Sequence, residues 1–142
     1  IREVAIACNA NKVLSDYWET GHFEPRESVE THANAMDVGN PSNFERLQKL
    51  YPQFNDFKEQ VQVMSVTDKD IAATISSVYQ HHGEVICPHT ATALFMRKTL
   101  SDRDWIIIAT AEAAKFDAIV APLIKVNVPH SQHLLELLEN LL

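Results

Sequence analysis

Apolar positions along the chain fall into short uninterrupted runs that alternate with stretches of helical spacing. Val4-Ala5-Ile6-Ala7-Cys8 shows no polar alternation, which predicts a buried parallel strand rather than an edge. Asn9-Ala10-Asn11 follows at its carboxyl end. Val13, Leu14, Tyr17 and Trp18 then recur at helical spacing, with Gly21 placed to end the helix. His22 to Ser28 reads as loop around Pro25. Val29 to Met36 predicts a short helix and Gly39-Asn40-Pro41 a turn. Ser42-Asn43-Phe44-Glu45 has the form of a capping box, opening a helix lined by Phe44, Leu47, Leu50 and Tyr51 and stopped by Pro52.

The second half repeats the alternation. Gln60 to Val66 predicts a strand, and Thr67-Asp68-Lys69-Asp70 a capped helix start with Ile71, Ile75 and Val78 as its buried stripe, ended by His81, His82 and Gly83. Glu84 to Cys87 predicts a short strand, and Pro88 opens a helix that continues through Ala91 to Met96. Trp105 to Ile108 is the most strand-like run, followed by Ala109-Thr110-Ala111 and a helix over Ala113 to Ala121. Pro122 and Pro129 are expected to bracket an extended tail, and Ser131 to Leu142 a leucine-rich closing helix. This order predicts one α/β domain over residues 1–142, with a mainly parallel sheet of about four strands flanked by helices. Ligands of such sheets bind beyond the carboxyl ends of strands, here at Cys8-Asn9, Cys87-Pro88-His89 and Thr110.

Composition narrows the function classes. With 142 residues, 46% of them apolar, the chain has material for a real core. A net charge of −7 without clustered Lys or Arg argues against a nucleic-acid partner. No apolar run approaches the roughly 20 residues of a membrane span. The chain starts at Ile1, so an upstream segment removed from it is one expectation. Cys8 and Cys87, far apart and outside any CxxC, predict two reduced thiols and a cytoplasmic protein.

General helix and strand chemistry explains Thr31 to Arg46 least well: three asparagines and a glycine among small residues suit a wall that something approaches closely. Asn34-Ala35-Met36-Asp37-Val38-Gly39-Asn40-Pro41-Ser42-Asn43, then Pro88-His89-Thr90-Ala91, then Thr110-Ala111 with Ala114-Lys115-Phe116, resemble in order and spacing the C-terminal half of threonine synthase. The resemblance runs from about Val4 to about Leu123. It implies a partial tryptophan-synthase-β-like domain and a pyridoxal-phosphate (PLP) enzyme that converts O-phosphohomoserine and water to threonine and phosphate. Thr110 matches the family threonine beside the pyridine nitrogen of the cofactor, where a neutral hydroxyl tunes the electron sink. Asn34 and Asp37 match the signature helix near the cleft, without an assigned catalytic role. His89 matches a Pro-His motif and reads either as a structural histidine or as a proton carrier.

The family's Schiff-base lysine and its glycine-rich phosphate cradle lie upstream of the region matched, and three glycines offer no replacement loop. Lys115 is not that lysine. The resemblance therefore implies an isolated portion, inactive alone, that takes up PLP only with the missing N-terminal half. A second reading starts from differences: His32 stands where the family has an aliphatic residue, and Glu112-Ala113 where it has His-Pro. Cys8, His32 and Glu112 are then the nucleophile, base and orienting group of an engineered or repurposed thiol hydrolase, with the Cys8 pKa lowered by a helix or an imidazolium. A third reading is an interaction module or homodimer that buries the leucine-rich tail. His81-His82 and the pair His130 and His133 lack a third ligand and predict no metal site.

Overall fold

The computed structural model describes residues 3–100 and 102–129. The expected closing helix, with His130 and His133, lies outside the described residues.

Strand β1 (Val4–Cys8) pairs in parallel with β2 (Val61–Ser65), in the register Val4 to Val61 through Cys8 to Ser65. The connection between them carries α1 (Val13–Thr20), a 3-10 turn at Asn34–Met36, α2 (Phe44–Leu50) and α3 (Phe54–Gln60). After β2 come α4 (Asp68–His82), α5 (Pro88–Thr99), a second 3-10 turn at Ala113–Phe116, and α6 (Asp117–Ile124). This is an α/β chain with a parallel sheet flanked by helices.

Local signals place several boundaries. Gly21 and Gly83 end α1 and α4 with φ of 76° and 71°, the left-handed conformation that only glycine adopts without strain. The Thr67 hydroxyl accepts from the Asp70 backbone N–H at 3.2 Å and caps α4. Pro88 occupies the first turn of α5, while the Cys87 sulfur accepts from the Thr90 N–H at 3.4 Å.

Two apolar clusters hold the elements. Cys8, Phe57, Val61 and Val63 form one, covered by Leu14, Tyr17, Trp18 and Phe54. Ile71, Ile75, Ala91, Val120, Ile124 and their neighbours form the other, between α4, α5 and α6.

Several expectations need correction. Only two strands form a sheet among the described residues. Glu84 to Cys87 is irregular, and Trp105 to Ile108 forms no ladder. Val29 to Met36 yields one 3-10 turn instead of a helix. The capping box does not form, because α2 starts from Asn43 with no side-chain cap, and Leu50 is 72% exposed rather than on a buried face. A helix not anticipated, α3, buries Phe57 between Tyr17 and Tyr51. Pro122 lies inside α6, which runs on to Ile124 instead of giving way to an extended tail. Among the described residues no helix is long and apolar enough to cross a membrane.

Candidate functional site

The carboxyl end of β1 is closed by a polar network centred on the Asp37 carboxylate. Its Oδ1 accepts from Asn9 Nδ2 at 2.7 Å, Asn11 Nδ2 at 2.9 Å and the Thr31 hydroxyl at 2.7 Å, and its Oδ2 accepts from the Thr31 backbone N–H at 2.9 Å. Asn9, Asn11 and Thr31 are buried, so each donor needs a protein acceptor in place of water. Asn9 Nδ2 also reaches Thr31 Oγ1 at 2.8 Å and the Ala33 carbonyl at 3.1 Å; with two protons and three acceptors it shares one of them. The Asn11 amide group pairs with both backbone groups of Val29, at 2.8 Å each way. The motif around Asp37 is thus folded onto the strand end.

Gly39 makes a second close approach. Arg26 N–H donates to the Gly39 carbonyl at 3.0 Å, and a Cβ on Gly39 would sit 1.9 Å from the Arg26 carbonyl oxygen.

His89, at the start of α5, is buried, and its Nε2 accepts from the Ala35 N–H at 3.1 Å. The proton of the neutral ring therefore lies on Nδ1, which is buried without a partner among the described residues. Burial holds the His89 pKa below the ordinary 6.5, against the opposing pull of Asp37. The geometry makes His89 a bridge between α5 and the Asn34–Met36 turn. It also sets a pH dependence. Below about pH 6.5 the unfolded chain takes up a proton at His89 that the folded chain refuses, so stability contributed by this site is lost as pH falls. In urea titrations from pH 7.5 to 5, the native protein is expected to lose stability relative to His89→Gln; a constant gap would refute this.

The residues of the thiol reading fall in different surroundings. Cys8 is buried in the β2-side cluster, and desolvation raises its pKa to about 11, eased only partly by a backbone hydrogen bond at Ser15. That shift is opposite in sign to the lowering expected for a nucleophile, leaving about one thiol in 10⁴ ionised at pH 7. His32 donates its backbone N–H to Asp68 Oδ1 at 3.0 Å, while its ring Nδ1 is buried without a partner among the described residues. Glu112 is exposed in the wall of a cavity of about 460 Å³, with Cys87, Thr90 and Pro129. No hydrogen bond joins Cys8 to His32 among the described residues.

Thr110 is exposed; its neighbours Ala109 and Ala111 line that cavity, and Thr110 itself does not. Asn34 and Lys115 are also exposed. Neither this cavity nor a larger one beside β1 has a lysine in its wall. At the end of β1, where a phosphate needs free backbone N–H groups, the Asn11 N–H is spent on Asn9 Oδ1 at 2.8 Å.

Reading the residues alone missed Asn9, Asn11 and Thr31 as partners of Asp37. The available signal was two asparagines directly after an apolar strand, where buried amides need a shared acceptor.

No family model matches the chain. Threonine synthase of Buchnera aphidicola is 30% identical over 123 residues, which is 84% of this chain and 28% of that protein. Threonine synthase of Haemophilus influenzae is 27% identical over 131 residues, covering 91% of this chain and 31% of that protein. Among solved structures, PLP-bound threonine synthase from Brucella melitensis superposes with a TM-score of 0.89 at 26% identity, covering 98% of this chain and 36% of that one. Over nearly all of its own length the chain thus resembles the threonine synthases in sequence and in fold, and it spans about a third of them.

Proposed function

We propose that this chain supplies one wall of the active site of a PLP-dependent threonine synthase, corresponding to its C-terminal portion, and that the Schiff-base lysine and the phosphate cradle belong to the part of the enzyme that this chain does not match. The observation that carries this reading is the superposition on a PLP-bound threonine synthase along 98% of the chain. The reaction of the assembled unit is conversion of O-phosphohomoserine and water to threonine and phosphate. When bound, the cofactor supplies an electron sink for that chemistry. This chain's share is Thr110, the exposed residue that matches the family threonine beside the cofactor, and the Asp37 network that fixes the carboxyl end of β1. Alone, the chain is inactive in this reaction.

The test is cofactor uptake and phosphate release. The chain alone is expected to show neither PLP absorbance after gel filtration nor phosphate release from O-phosphohomoserine. Co-expressed with the part of the Brucella melitensis enzyme that it does not match, it is expected to retain the cofactor, and Thr110→Val to shift the absorbance of the bound form. Turnover by the isolated chain, or an assembled pair that retains no PLP, would overturn the proposal.

A further inference from the structure

Three segments that lie far apart in the chain meet around His89. Ala33 precedes the Asn34–Met36 turn, Ala91 lies in the first turn of α5, and Ala114 lies in the Ala113–Phe116 turn; all three belong to one buried cluster, with Met36 and Phe116 packed against it. His89, 8% exposed, joins them. Its Nε2 accepts from the Ala35 N–H at 3.1 Å, and its ring packs against Phe116 with centroids 4.7 Å apart and planes tilted by 55°. The helix start that carries the ring is itself fixed, because the Cys87 sulfur accepts from the Thr90 N–H at 3.4 Å and the Thr92 hydroxyl donates to the His89 carbonyl at 2.7 Å.

This junction accommodates a neutral ring only. Nε2 is the acceptor, so the single proton sits on Nδ1, which is buried with no hydrogen-bond partner among the described residues. A second proton goes to Nε2 and sets two donors, the imidazolium N–H and the Ala35 N–H, against each other. It also places a charge among alanine and phenylalanine side chains. The titratable groups carried by these segments are His32 and Asp37 beside the first turn, Cys87 before α5, and Glu112, Lys115 and Asp117 around the second turn. Of these, Asp37 acts on the ring and draws the proton in, but burial outweighs it.

Two of the three segments also wall the 460 Å³ cavity, with Cys87 and Thr90 from the start of α5 and Ala113 and Ala114 from the second turn. We propose that His89 is a positioning residue for that cavity: as a neutral ring it clamps both 3-10 turns onto the start of α5, and a second proton opens the clamp. The link from this cavity to the cofactor rests on the proposed function; the clamp does not. His89 touches neither substrate nor cofactor in this role and acts through the turns. In the open arrangement the ring regains water and its ordinary pKa of 6.5. Each pH unit below that value, down to the lowered value of the closed form, therefore favours opening by up to about tenfold.

The experiment follows the full chain by NMR from pH 7.5 to 5. At pH 7.5 the ring nitrogen shifts are expected to show a bare Nε2 and a protonated Nδ1. On acidification the Ala35 amide, corrected for the intrinsic pH dependence of exchange, is expected to lose protection by up to about tenfold per pH unit below 6.5. The backbone amides of Asn34–Met36 and Ala113–Phe116 should shift with one common midpoint, and low urea should leave the Ala35 opening unchanged, as a local opening requires. In His89→Gln, whose amide oxygen accepts but does not titrate, the pH dependence is expected to vanish. A proton on Nε2 at pH 7.5, protection independent of pH, turns that titrate separately, or an opening with the full denaturant slope overturns the inference, and all four are read on the unsubstituted chain. Persistence of the pH dependence in His89→Gln overturns it as well. With the unmatched part of the Brucella melitensis enzyme co-expressed, PLP retention should fall over the same pH range. Retention that stays constant while the turns open overturns the positioning role, whereas no retention at any pH removes the functional reading and leaves the clamp standing.

Discussion

Asp37→Ala is expected to cost about 3–4 kcal/mol of folding stability, measured as a shift in the urea midpoint at constant slope. The substitution removes the acceptor of three side-chain donors and one backbone donor. Hydrogen bonds to a charged group contribute about 1.5–3 kcal/mol each, so the simple sum would be larger. Asn9 keeps Ala33 and Thr31 as acceptors, and Asp37 is itself only half-buried, which together reduce the loss. Asp37→Asn should lose about half as much, because the amide oxygen still accepts from the donors on Oδ1 while its NH₂ group faces the Thr31 N–H. A loss under about 1 kcal/mol for Asp37→Ala would mean the network does not hold the strand end. The consequence for function is direct: release of Asn9 and Asn11 loosens the wall on which the proposed site depends.

Gly39→Ala should destabilise by roughly 3 kcal/mol, in the range of severe overpacking. The new methyl would meet backbone rather than a yielding side chain, with the Arg26 carbonyl oxygen at 1.9 Å and its carbon at 2.8 Å. Relief requires the segments around Arg26 and Gly39 to separate, at the cost of the hydrogen bond between them. Gly83→Ala is the control. Nothing lies within 4 Å of its Cβ position, so only the strain of φ +71° remains, worth about 1 kcal/mol. Thermal or urea unfolding of the two variants should rank them in that order. Equal losses would show that the Gly39 contact relaxes without penalty.

The resemblance to threonine synthase was readable from three short motifs because such motifs survive where the backbone is most constrained. Asn34 to Asn43 is one of them, and the structure shows why it is constrained: Asp37 gathers donors from the distant segment holding Asn9 and Asn11, and Gly39 touches the Arg26 backbone. The chemical role of single residues was less legible. Cys8 at a strand end has the sequence context of a reactive thiol, yet its surroundings are Phe57, Val61 and Val63, which arrive from residues about fifty positions away. Burial by those groups sets the sign of its pKa shift.

What the amino-acid order determined by itself is whatever depends on a few neighbouring residues: the apolar run of β1, the glycines that end α1 and α4, the Thr67 cap, and Pro88 in the first turn of α5. Tertiary structure alone decided the rest. Val29 to Met36 has the pattern of a helix, but Thr31 and the following turn are held by Asn9, Asn11 and Asp37, and only a single 3-10 turn remains. Trp105 to Ile108 has the pattern of a strand and stays unladdered, because a strand is completed by the backbone of another segment, and periodicity cannot supply a partner.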